Sequence, residues 1–162
     1  MKSIFALALC ILVPAGIANA DQIFKATLSG DQEVPPVDTV ATGRAKFRVS
    51  DDLSKVEFTL TVNDGTRVQV SHIHCGAAGE NGPVFIFLAG AIPEGLDIDG
   101  EWVSNATFTD ANIVLRTTPC GATLADVVAA MQAGMTYANV HTVANPGGEI
   151  RGQIQATSDC GR

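Results

Sequence analysis

His72-Ile73-His74 sets two imidazoles two residues apart, and the third histidine of the chain, His141, lies in a separate strand-like segment far downstream. On a β-strand, residues i and i+2 point to one face, so His72 and His74 can share a metal ion with His141 arriving from a neighbouring strand. Imidazole nitrogen suits copper and zinc alike. A structural zinc site asks for four closed ligands, so three histidines favour copper over zinc and leave a position open for inner-sphere chemistry on superoxide, peroxide or dioxygen. The competing reading is three packed or hydrated histidines in ordinary strands. One local feature favours it: His72 and His74 share parity with Val68 and Val70, so a single face would have to turn from core to metal site. A β-bulge near Ser71, or a site at the rim of the fold, would reconcile the two.

The elements that must position these residues are nearly all strands. Phe24, Ala26 and Leu28 alternate with polar residues, as do Ala45, Phe47 and Val49, and then Val56, Phe58, Leu60 and Val62; each reads as a half-buried strand with one wet face. Between the first two, the run from Gly30 to Pro36 cannot continue a ladder, because two prolines lack the N–H donor. Asn63-Asp64-Gly65 is a turn cluster that predicts a tight hairpin. Arg67 to His74 forms the next strand, a glycine-rich loop runs from Cys75 to Gly82, and Val84 to Leu88 is an unbroken apolar run that predicts a strand covered on both faces. Gly90 to Gly100 is loop-like, and Ala106 to Leu115 supplies one or two poorer strands. One helix stands out: Thr123 as N-cap with Asp126 three residues on, Leu124, Val127, Val128 and Met131 at helical spacing, and Gly134 to end it. Strands from Met135 to Val143 and from Glu149 to Ala156 follow. Short strands, one short helix and glycine-rich turns indicate an all-β fold, an antiparallel Greek-key β-sandwich or a flattened barrel.

The last hairpin decides the neighbourhood of His141. Tyr137, Asn139 and His141 share one face, as do Glu149, Arg151 and Gln153, and a register that sets residue 141 opposite 149 or 151 brings those faces together. A slip of one residue separates them. Asn139 and Glu149 then read as hydrogen-bonding residues behind the ligands, with a cross-strand ion pair as the plainer role for Glu149. Tyr137 reads as an aromatic core residue, and Glu94, Asp97, Asp99 and Glu101 as a solvated loop.

Lys2, the apolar run Ile4 to Val13 and the small residues Ala18-Asn19-Ala20 form a signal-peptide pattern over residues 1–20, with a single domain expected over 21–162. Cys10 sits inside the apolar run with Leu9 before it, where a lipoprotein site wants a small residue. No segment is long enough to span a membrane. The expected location is periplasmic or secreted. The full chain carries 10 Lys+Arg and 17 Asp+Glu; losing Lys2 leaves 9 against 17, a net charge of about −8, which argues against nucleic acid or an anionic membrane as partner. Cys75, Cys120 and Cys160 remain after cleavage. The expected disulfide joins Cys75 to Cys120, since Cys160 lies beside a frayable terminus; the third thiol is left to be free, to ligate metal or to link a homodimer. A mixed thiolate and imidazole copper site at Cys75 is the lesser alternative.

Several blocks together resemble the CHRD domain, first described in chordin and frequent in exported bacterial proteins: Ser29 to Pro36, His72 to Gly76, Asn81 to Val84, Tyr137 to Thr142 and Gly147 to Ile154. The resemblance spans Asp21 to Ala156. The H-x-H strand, glycine-rich loop, later histidine, disulfide and nearby arginine are also similar, more loosely, to the copper-only branch of the copper/zinc superoxide dismutases. That similarity implies copper on His72, His74 and His141, and Arg151 as a catalytic cation that guides small anions such as superoxide. It departs in lacking a fourth histidine, which water, substrate, Cys75 or Glu80 would have to replace. Two functions follow: a copper-dependent oxidoreductase of the superoxide dismutase type, or a non-enzymatic copper carrier or extracellular protein-binding module.

Overall fold

The protein was analysed as a computed structural model, which describes residues 22–157; the expected signal peptide, with Cys10, and Cys160 lie outside them. Nine strands and one helix follow in chain order: β1 (Gln22–Leu28), β2 (Thr42–Val49), β3 (Val56–Asn63), β4 (Val68–Cys75), β5 (Val84–Gly90), β6 (Glu101–Phe108), α1 (Leu124–Gln132), β7 (Thr136–Thr142), β8 (Ile150–Gln153) and β9 (Gln155–Ala156). They form two antiparallel sheets, ordered β6-β3-β2-β1-β9 and β5-β4-β7-β8. The all-β sandwich is the expected class, and neither sheet closes into a barrel.

The alternation read from sequence explains the larger sheet. Phe24, Ala26, Leu28, Ala45, Phe47, Val49, Val56, Phe58, Leu60 and Val62 are all buried, because in-register pairing of β1 with β2 and of β2 with β3 keeps these residues on one face. Phe47, Phe58 and Phe108 pack with ring centroids 6.2–6.5 Å apart, within the usual range for aromatic pairs. From the smaller sheet, Ile73, Ala138, Val140 and Ile150 close the core. The helix matches its sequence signals: Thr123 and Asp126 form a capping box, and Gly134 adopts φ 68° just past its end.

Three expectations change. Asn63-Asp64-Gly65 does not close a hairpin. β3 pairs only with β2 and β6, while β4 belongs to the other sheet, so the turn carries the chain across the sandwich, with Asp64 and Arg67 at positive φ. Second, a strand begins at Glu101, ahead of the segment expected from Ala106; its outward residues are polar and Val103 is exposed, which hides the period. Third, β5 is not covered on both faces. It is an edge strand, and Phe87 is 49 % exposed.

Candidate metal centre

The sheet β5-β4-β7-β8 has a face turned away from the core, and the three histidines lie on it. β4 and β7 pair with His72 opposite Asn139, His74 opposite Tyr137 and Val70 opposite His141, so His141 is the diagonal neighbour of His72 on one face. The parity conflict with Val68 is resolved by irregularity in β4. The register against β7 shifts between Val68 and Val70, and the register against β5 shifts at Ser71/His72 and again at Ile73/His74. The first shift lets Val68 face the core while Val70 and both histidines face away from it. It lies a little ahead of the position that sequence parity suggested.

An outward sheet face is ordinarily wet, yet His72, His74 and His141 are only 8, 7 and 6 % exposed. Loops account for this. The segments after β1, between β4 and β5, and between β7 and β8 converge over the face: Asn139 donates to Glu33, Asn81 donates to the Val34 carbonyl, and Arg151 donates to Asn81 and to the Glu80 and Ala77 carbonyls. Cys75, directly after His74, is disulfide-bonded to Cys120 with Cα atoms 5.7 Å apart, which ties the end of β4 to the chain entering α1.

Backbone carbonyls fix the histidine tautomers. His74 Nδ1 lies 2.9 Å from the Gly82 carbonyl oxygen and His141 Nδ1 lies 3.0 Å from that of Pro146. A carbonyl only accepts, so both Nδ1 atoms carry the proton and both Nε2 atoms present a lone pair. His141 Nε2 accepts from His72 Nδ1 at 3.0 Å. His74 Nε2 is buried without any hydrogen-bond partner, the kind of orphan that asks for an explanation. Ligand nitrogens of all three rings lie within 4.8 Å of one another. Two nitrogens about 2.1 Å from one ion sit roughly 2.9–3.4 Å apart at right to tetrahedral angles and at most about 4.2 Å apart. The His72–His141 pair already has that spacing, and the widest pair closes by roughly half an ångström or more to share an ion. The donor set therefore fits a metal.

Burial keeps the three imidazoles neutral at neutral pH. Burial, with the neighbouring His141 and His74, lowers His72 to about 4. Burial also lowers His74 to about 4 against the opposing pull of its Gly82 hydrogen bond. His141 is lowered by burial too. Neutral imidazole is the metal-binding form.

The remaining expected residues take up distinct positions. Arg151 is 2 % exposed, its guanidinium carbon 3.8 Å from the centre of the Tyr137 ring, and that ring stacks on His74 at 4.8 Å and 12°. It lies opposite Asn139, in the register that joins the two faces. Asn139 bonds Glu33 and the Ile150 carbonyl. Glu149 accepts from Thr142 and from Asn145, which anchors the loop that carries Pro146. Burial pushes the Glu149 carboxyl up, but bonds from Thr39, Asn145 and Thr142 outweigh it and hold it below its ordinary value. Glu80 contributes its carbonyl, not its carboxylate, to the network, and the Cys75 thiol is consumed by the disulfide.

Sequence reasoning did not single out Glu33, Gly82, Pro146 or Phe87. Burial raises Glu33 to about 6 despite its bond from Asn139 and the charge of Arg151. Phe87 stands edge-on to His72 with centroids 4.5 Å apart. Two of these roles belong to main-chain carbonyls and leave no trace in residue type; Glu33 and Gly82 do lie in the loop blocks from which the CHRD resemblance was drawn.

The profile of the CHRD domain family matches residues 24–154. The chain belongs to the CHRD domain family. Among curated proteins, no match is found. For this CHRD protein, the match encloses every residue of the histidine cluster and of the loops that roof it. Among the described residues, no helix is long and apolar enough to cross a membrane.

Proposed function

We propose that this CHRD protein is an exported copper-binding protein in which His72, His74 and His141 hold one ion, with redox activity of the superoxide dismutase type. The observation that carries the reading is the buried, partnerless Nε2 of His74, held with its lone pair beside the His72–His141 pair. Three imidazoles with no thiolate or carboxylate among them suit copper, and a closed zinc site would want a fourth ligand. When bound, copper would supply one-electron exchange with a small oxygen species at the position that three protein ligands leave open. Gly82 and Pro146 orient two of the rings, the loops limit water, and Phe87 forms an apolar edge beside His72.

Arg151 supports a second reading. Its guanidinium is occupied by loop carbonyls, Asn81 and the Tyr137 ring, so it serves to hold the site together and not to steer anions. With Arg151 enclosed in this way, a non-enzymatic copper carrier is the alternative.

Reconstitution with copper followed by mass-spectrometric metal analysis tests the binding. The expected outcome is one copper per chain, lost in His141→Ala; a folded protein that takes up no copper overturns both readings. Copper-loaded protein with no superoxide turnover leaves the carrier.

A further inference from the structure

The outer face of the sheet β6-β3-β2-β1-β9 carries positive charge that the histidine centre does not use. We propose that this face binds an acidic polysaccharide. Arg44, Lys46 and Arg48 alternate outward along β2, and Lys25 projects from β1 directly opposite Lys46; all four are exposed. They are half of the eight lysines and arginines among the described residues, gathered on one side of a chain whose net charge is −7.

Like charges directly opposite on neighbouring strands destabilise a sheet. The Lys25–Lys46 pair therefore works against folding, and an anionic polymer would supply its counter-charge. The nearby ion pairs, Arg44–Glu101 at 3.6 Å and Arg48–Glu57 at 3.8 Å, are well exposed and contribute little to stability. Lys25 and Lys46 join no ion pair among the described residues. Glu101 and Glu57 offset Arg44 and Arg48 on this face, so Lys25 and Lys46 carry its uncompensated charge, and screening over about 8 Å at physiological salt weakens the pull of more distant acidic groups.

The shape and chemistry of the face select the polymer. Two shallow depressions of about 390 and 300 Å³ adjoin across Lys46 and Thr59. Besides the cations and the Glu57 carboxylate, which pairs with Arg48 and Lys55, they present Thr27, Thr59, Thr61, Asn105 and Thr107, hydroxyls and an amide that can hydrogen-bond sugar hydroxyls. No aromatic side chain points outward from these strands among the described residues, so bases of a single-stranded nucleic acid have no stacking platform. Val103 is the one large apolar side chain well exposed there, too little to insert into a lipid surface.

Binding of the full-length exported protein to polygalacturonate, a linear polyuronate, tests the proposal by titration across a salt series. The expected result is an affinity that falls steeply with salt. Lys25→Gln with Lys46→Gln should weaken binding at least tenfold and flatten the salt dependence, while Lys25→Arg with Lys46→Arg retains both. The glutamine pair should melt no lower than the parent, since it removes a like-charge contact, which separates lost binding from lost folding. No binding at low salt, or equal binding by the glutamine pair, overturns the proposal. So does binding to single-stranded DNA or to phosphatidylglycerol vesicles with polygalacturonate left unbound.

Discussion

The proton shared between His72 Nδ1 and His141 Nε2 occupies the place a metal ion would take. For His72 Nδ1 to bind a metal this proton moves to Nε2, and burial holds His72, His74 and His141 below the ordinary histidine value, so no second proton competes for the rings. At this scale Arg151 is the residue to test. Its hydrogen bonds to the Glu80 and Ala77 carbonyls and to Asn81 brace the loop whose Gly82 carbonyl orients His74. We expect Arg151→Ala to weaken copper binding by about 10–100-fold, the usual loss when a residue behind a ligand is removed. Lysine should not restore it, because a point charge does not reproduce a planar fork stacked on Tyr137. Competition with a chelator of known affinity measures the effect. A role in anion steering would instead leave copper affinity unchanged and alter only the salt dependence of turnover.

Among the elements, β4 and its following loop carry the most consequence. The disulfide closes a sequence separation of 45 residues between the end of β4 and the chain before α1. Replacing both cysteines by alanine should lower stability by about 2–5 kcal/mol, read from the denaturant midpoint, and should loosen His74, which adjoins Cys75. Gly82 is the more local probe. A Cβ there would lie 1.6 Å from the Cys75 carbonyl oxygen, so Gly82→Ala must displace the loop. The expected outcome is loss of copper affinity with the disulfide intact; unaltered affinity would show that the Gly82 carbonyl does not set the tautomer of His74.

For the whole molecule, the buried titratable groups make stability depend on pH. His72 and His74 sit at about 4 in the fold against 6.5 when exposed. Below pH 6.5 the unfolded chain takes up protons that the folded chain refuses, so stability falls on acidification and levels off below about pH 4. Glu33 acts with the opposite sign: raised from 4.5 to about 6, it takes stability away as pH rises through that range. Two imidazoles, joined by His141, outweigh one carboxyl. The metal-free protein should therefore lose thermal stability as pH falls from 6.5 to 4, measured by calorimetry in a chelating buffer. His72→Gln should flatten the profile, and an unchanged profile would mean that His72 is not held neutral by the fold.

Local sequence determined much of this. Alternation in β1 to β3 indicated an all-β fold, sandwich or flattened barrel, because a period of two leaves one face to bury, and the Thr123–Asp126 box with Gly134 delimited the helix because its capping partners are adjacent in the chain. The three histidines were likewise legible from their spacing, whereas parity left the register of the last hairpin open until the pairing of Asn139 with Arg151 settled it. Tertiary structure alone decided the rest. The turn at Asp64 crosses between sheets because long-range pairing of β4 with β7 outweighs a turn preference. The irregular stretch in β4 turns His72 and His74 away from the core face to which Val68 belongs. Arg151 is enclosed because three loops, distant in sequence, fold over an outward sheet face, and burial of that kind depends on what arrives from elsewhere in the chain.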